Sequence, residues 1–173
     1  MTRLLLAAFG TIAFTLALAL FVGPDSEVPV FHLLRPWLFL GVMTLLIVSA
    51  HIAACRRVFS RYLKHSHATS RRAFAVLAML LVHMAQIQVY GVALYAYAQW
   101  TGERLAGEAT GSVLDFMYFS YASYTSLGLG DIYPTGSLRL LAGAEALLGL
   151  LMIGITAALF VIHLRRAWFG GEG

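Results

Sequence analysis

Four uncharged, apolar stretches, each long enough to cross a bilayer, constrain this chain more than any other feature, because a spanning helix needs about 20 such residues. The first runs from Leu4 to about Val22 and stops at the turn signal Gly23-Pro24-Asp25, followed by Ser26 and Glu27. The second begins near Pro36, a residue suited to a helix start, and reaches about Ala54 before Arg56 and Arg57. The third extends from Ala73 to about Trp100, long enough to tilt or project from the bilayer. The fourth, residues 138–164, carries Arg139 and Glu145 near its start and stops at Arg165-Arg166. With 60% of positions hydrophobic and 12% charged, the chain is far too apolar for a soluble domain. The expected fold class is therefore an all-α membrane protein with four transmembrane helices.

Charge sets the expected topology. The net charge of +4 does not mark a nucleic-acid partner, because the basic residues are not gathered on a soluble face. Arg56, Arg57, Arg61, Lys64, Arg71 and Arg72 sit between the second and third spans, and short basic links stay on the cytoplasmic side. By parity Arg3 and Arg165-Arg166 lie on that side too, whereas the two other links carry Asp25, Glu27, Glu103, Glu108 and Asp115. Both termini are expected inside. The divisions that follow are residues 1–55 (two N-terminal transmembrane helices), 56–72 (a basic cytoplasmic loop), 73–166 (the last two spans and the segment between them) and 167–173 (a short cytoplasmic tail). A competing view makes the first span a cleaved signal peptide, with Arg3 as its basic start and a cleavage site near Ala17-Leu18-Ala19, but its uncharged run exceeds a usual signal core. Cys55, the only cysteine, rules out an intrachain disulfide and reads as a small apolar filler.

The segment from Thr110 to Pro134 is too long for a tight turn and too rich in apolar and aromatic residues for a solvated loop. Irregular backbone at membrane depth is tolerated only where protein buries it or where it lines a watery path, and a re-entrant loop between the third and fourth helices meets that condition. Ser112-Val113-Leu114-Asp115 matches a capping box, so a short helix should start there and end around Ser123 to Thr125, carrying Phe116, Met117, Tyr118, Phe119 and Tyr121. The negative end of its dipole would favour a cation just beyond it. Next comes Thr125-Ser126-Leu127-Gly128-Leu129-Gly130-Asp131, whose alternating glycines open backbone conformations closed to other residues. Successive carbonyls can then face one axis and replace the hydration shell of a potassium ion, with the Ser126 hydroxyl adding the innermost ring.

Tyr118-Phe119-Ser120, then Tyr124 through Pro134, resembles the pore helix and signature filter of potassium channels. The likeness continues through Arg139-Leu140-Leu141 and Glu145-Ala146-Leu147-Leu148-Gly149, where Gly149 and Gly154 resemble the glycines of a pore-lining inner helix. It covers about residues 73–165 and is similar to small bacterial ion-channel proteins of the two-pore-domain potassium-channel type, although this chain has one pore loop. The resemblance implies a passive cation channel, not an enzyme, in a cell membrane of the bacterial inner-membrane kind. Potassium ions would be held by Ser126, Leu127, Gly128, Leu129 and Gly130, with Asp131 at the pore mouth and no cofactor. Four copies are needed to close a ring of carbonyls, so a homotetramer in the lipid bilayer is expected. Departures from the family pattern bear on selectivity: Ser126 replaces the usual threonine, Leu129 the commonest tyrosine, and Ala122 leaves no acidic residue behind the filter. A weakly selective monovalent cation channel is the alternative, and a non-conducting membrane subunit is more distant.

For gating, the first two spans lack the repeated arginines of a voltage sensor, and no ligand-binding domain is expected after Arg166. Gly149 is a candidate bending point or a close-packing site, and Leu150, Ile153 and Thr156 are expected to face the central cavity from helical spacing. Glu145, inside a span, is a functional candidate, and the resemblance implies that it packs behind the filter or near the outer end of the inner helix. His65 and His67 are candidate cytoplasmic pH sensors, and the basic loop that carries them is a candidate site for anionic lipid. His51, His83 and His163 raise the rival of a haem-binding redox protein, but they show no paired ligand spacing and read as single core or interfacial residues.

Overall fold

A computed structural model of the chain describes residues 30–62 and 69–169, with side chains over 34–62 and 69–163. Helix α1 spans Val30–Tyr62, α2 Thr69–Thr101, α3 Val113–Tyr124 and α4 Leu138–Phe169; two short strands, β1 (Leu105–Gly107) and β2 (Ile132–Pro134), flank α3. Three of the helices are long and apolar enough to cross a membrane, over Leu34–Tyr62, Thr69–Thr101 and Leu138–His163. The first stretch expected to span, Leu4 to Val22, lies outside the described residues. The start of α1, through Gly41, belongs to one compact unit, and the described residues from Val42 onward belong to a second.

The helices run past the stretches expected from charge. Pro36 lies inside α1 rather than at its start, and the helix begins at Val30. Proline removes one backbone bond, and a long apolar helix sustains that loss where its other bonds hold. The basic stretch expected as a loop over 56–72 is helical through Tyr62 and again from Thr69, so Arg56, Arg57, Arg61, Arg71 and Arg72 all lie on helices. Arginine is a good helix former, and charge ends a membrane span without ending the helix. At 33 residues, α1 and α2 are each about 50 Å long, well beyond a hydrocarbon core of about 30 Å.

In the second unit the short helix α3 packs between α2 and α4. Two glycines admit it. A β-carbon on Gly91 would lie 2.9 Å from the Met117 Cα, and one on Gly149 would collide with the backbone oxygen of Tyr124. The core at this junction contains Phe116, Tyr90, Tyr124, Leu94, Leu138 and Leu141, all fully buried. Toward the other end of the bundle, Cys55 and Phe59 of α1 pack with Met79 of α2, and Phe59 also stacks near Phe160 and His163 of α4. The outward residues are as apolar as these; Leu45 is 74% exposed and Leu46, Leu80, Leu81 and Val161 are exposed too. In lipid such a surface gains little from helix contact, so close packing and buried hydrogen bonds must hold the helices together.

β1 and β2 pair antiparallel, Leu105 with Pro134, Ala106 with Tyr133 and Gly107 with Ile132. This ribbon joins the segment leaving α2 to the segment leaving the glycine loop. It is closed further by the Thr135 hydroxyl donating to the Arg104 carbonyl at 2.6 Å. Glu103 ties the same region to α4: its carboxylate accepts from the Ser137 hydroxyl and, at 3.0 Å, from the Leu138 N–H at the helix start. Because Ser137 donates to Glu103, the Tyr97 hydroxyl donates to Ser137, at 2.8 Å.

Candidate functional site

The site begins with the start of α3. Ser112 is its N-cap, and the reciprocal capping box with Asp115 is complete, as the Ser-x-x-Asp spacing predicts. One oxygen of Asp115 accepts from the Thr110 N–H, the Thr110 hydroxyl and the Ser112 N–H at 2.7 to 2.9 Å. The Thr110 hydroxyl above all holds this carboxyl below the usual carboxylate range. The helix ends where expected, with Thr125 as its C-cap. Its last turn is tied inward, since the Ser123 hydroxyl donates to the Ala142 carbonyl of α4 at 2.9 Å.

The chain then leaves α3 in a loop of alternating hand. Ser126, Gly128 and Gly130 have φ of +58°, +55° and +86°, while Leu127 and Leu129 between them keep negative φ. Glycine adopts the left-handed region freely, but a serine there costs on the order of 1 kcal/mol. The Ala122 carbonyl offsets that cost by accepting from both the Leu127 N–H (2.8 Å) and the Gly128 N–H (3.2 Å). Residues 125–131 are all exposed in the single chain, the Leu127 and Leu129 side chains at 63% and 57%.

At the far end of this loop Asp131 is held on both its backbone and its side chain. Its carbonyl accepts from the Glu108 N–H at 3.0 Å, and its carboxylate accepts from the Tyr118 hydroxyl at 2.7 Å. That bond holds the Asp131 carboxyl below its usual range and pushes the Tyr118 hydroxyl up. Leu129 has no polar atom to offer α3, and the Tyr118–Asp131 bond provides a polar tie between the loop and the helix.

Glu145 of α4 is fully buried against α3, where the Ser120 hydroxyl bonds to one of its carboxyl oxygens; Ser120 also lies 3.0 Å from the Ile87 carbonyl. Glu145 thus reaches from α4 to the short helix, whose own position 122 is alanine. The residues expected along one cavity-facing stripe of α4 divide. Leu150, Ile153 and Gly154 are exposed. Thr156 is not: it is buried among α1, α2 and α3, within hydrogen-bond distance of His83 (3.1 Å) and His51 (3.2 Å), because those two rings supply the polar partners a hydroxyl needs away from water. Gly149 is a close-packing site against Tyr124. His65 and His67 lie outside the described residues.

Sequence spacing missed a polar chain across four helices. His51 of α1 and His83 of α2 have ring centroids 5.2 Å apart, bridged by Thr156. His83 also reaches the Tyr124 hydroxyl at 3.0 Å, Tyr124 donates to the Gln86 side chain at 3.0 Å, and Gln86 donates to the Ile47 carbonyl at 3.3 Å. These residues lie up to 105 positions apart, so no local pattern announces them. Beside the chain runs a groove of about 440 Å³, lined by Met79, His83, Tyr124, Thr125, Ile153 and Thr156 among others.

Comparison with known proteins adds the family. No curated protein and no solved structure matches the chain. A family model described as an ion channel matches residues 76–166, more than half of the 173, covering most of α2 and α4 and the whole of the capped helix and the glycine loop. The chain belongs to that ion-channel family.

Proposed function

We propose that this chain is the subunit of a homotetrameric channel passing monovalent cations, potassium above sodium, down their gradients through the backbone carbonyls of residues 126–130. The observation that carries the reading is the alternation of backbone hand, with left-handed Ser126, Gly128 and Gly130 separated by Leu127 and Leu129 of ordinary hand. Residues of alternating hand cancel the helical turn, so successive carbonyls fall toward one side. That is the arrangement a dehydrated potassium ion requires of its ligands. The loop follows directly from the C-terminus of α3, whose partial negative charge favours a cation beyond it. Asp131, kept ionised by Tyr118, would concentrate cations at the mouth.

One such loop cannot surround an axis, and four copies give four-fold rings. In that assembly α3 and the loop re-enter the membrane from outside, residues 73–166 form the pore domain, and both termini are cytoplasmic in a multi-pass cell-membrane protein. Leu150 and Ile153 face the water-filled cavity, with Gly154 as the free bending point of α4. Ile153→Glu is expected to change single-channel conductance. The arginines near the end of α1 and the start of α2 would set topology and meet anionic lipid.

A weakly selective cation channel is favoured by one feature, Leu129, which cannot hydrogen-bond to α3 as a tyrosine would. Reversal potentials of the reconstituted protein under bi-ionic potassium and sodium conditions distinguish the two. Values near the potassium limit support the selective channel, and values near zero support the weakly selective one.

A further inference from the structure

The polar chain across the four helices has a single consistent direction. Gln86 uses its amide N–H on the Ile47 carbonyl, which leaves its oxygen to accept the Tyr124 proton. Tyr124, its one proton committed, must accept from His83, so His83 carries its hydrogen on Nδ1. The bare Nε2 of His83 then accepts from the Thr156 hydroxyl, and Thr156 in turn accepts from Nε2–H of His51. Nδ1 of His51 is buried and without a hydrogen-bond partner. The chain requires His83 to be neutral, with its hydrogen on Nδ1, and His51 to carry a hydrogen on Nε2. His51 is fully buried, but His83 is half-buried and lines the groove of about 440 Å³.

We propose that His83 is a positioning residue for conduction, holding the base of the filter in register with α4, and that a second proton on its ring lowers cation flux. This rests on the channel reading above. Tyr124 is the last residue of α3, two positions before the filter begins at Ser126, and Thr156 is on the helix expected to line the cavity. His83 joins the two. A proton on Nε2 replaces the acceptor that Thr156 uses with a donor, and it adds positive charge beside Tyr124 at the end of α3. Both effects lower flux. Among the described residues, His51 of α1, Tyr124 of α3 and Thr156 of α4 face His83, and none of them is an anion; Cys55 of α1 lies by Thr156. Glu145, also on α4, is bonded to Ser120.

The test is potassium flux from purified full-length protein in liposomes at pH 7.5 and 5.5, compared among the wild type, His83→Gln, His83→Leu and a His65→Gln/His67→Gln double variant. Acid should reduce wild-type flux about threefold or more as the His83 ring takes up its second proton and loses its bond from Thr156. In both His83 variants the ratio of the two fluxes should fall to near one, whatever their absolute level, and the double variant should keep the wild-type ratio. A flat wild-type profile, or an acid response that survives in His83→Gln or disappears in the double variant, overturns the proposal while leaving the channel reading intact. Absence of flux from every chain at both pH values overturns that reading and this inference with it. Ring-nitrogen NMR of the detergent-solubilised protein gives a readout independent of flux: the expected signature is His83 protonated on Nδ1 and His51 on Nε2, assigned with His83→Gln and a further His51→Gln variant. Finding His83 in the Nε2–H tautomer at neutral pH contradicts the bond direction on which the proposal stands.

Discussion

At the scale of single residues, the loop is held by polar atoms that the chain places at its two ends. The Ala122 carbonyl receives two N–H groups where the loop begins, and Tyr118 holds Asp131 where it ends. The second contact has a definite pH sign. The Tyr118 bond favours ionised Asp131 and lowers its carboxyl below the ordinary value. The stabilisation it gives is therefore fully present above the unfolded carboxylate range, about pH 3.9, and is lost only as pH falls through the lower folded value. Tyr118→Phe should raise the Asp131 midpoint toward that ordinary value, as read by NMR titration of the side-chain carboxyl. The same substitution should reduce the potassium-to-sodium permeability ratio. Equal midpoints in the two proteins would mean that the hydroxyl does not hold the carboxylate.

At the scale of elements, the seat of α3 depends on how closely its neighbours approach. Ala at position 149 would drive its methyl into the Tyr124 backbone, whereas a β-carbon at Gly154 has nothing within 4 Å. Gly149→Ala should therefore destabilise the protein by about 1–3 kcal/mol, as overpacking does, and Gly154→Ala by far less. Thermal unfolding in detergent measures the difference, and equal shifts would contradict the close contact. Sequence made the short helix legible because its start is written locally: Ser112 and Asp115 are three residues apart and bond to each other. The glycine loop was legible for the same reason, its spacing being a statement about backbone hand. Helix ends were less so. The positive charge that ends a membrane span does not end a helix, and α1 and α2 carry their arginines on helical backbone. Thr156 illustrates the remaining limit. Helical spacing puts it near Ile153, but partners on two other helices turn its hydroxyl inward. Such partners are set by tertiary packing, which no periodicity encodes.

At the scale of the whole molecule, membership of the ion-channel family and the loop geometry converge on the same region, residues 76–166. A single chain leaves Leu127 and Leu129 more than half exposed beside a polar backbone, a surface that calls for neighbours. Four copies around one axis would cover those side chains and turn four loops into rings. Assembly and conduction are thus one claim, and glycine at position 128 is its most sensitive point: the residue sits at φ +55°. A side chain there favours a return to ordinary hand by about 1–2 kcal/mol and would rotate a carbonyl out of the ring. The most direct test is potassium flux from liposomes containing the purified wild-type protein or Gly128→Ala, each first verified as a tetramer by sedimentation in detergent. The wild type should conduct potassium and the variant should lose most of that flux while remaining a tetramer. Equal flux from both would contradict conduction through this loop.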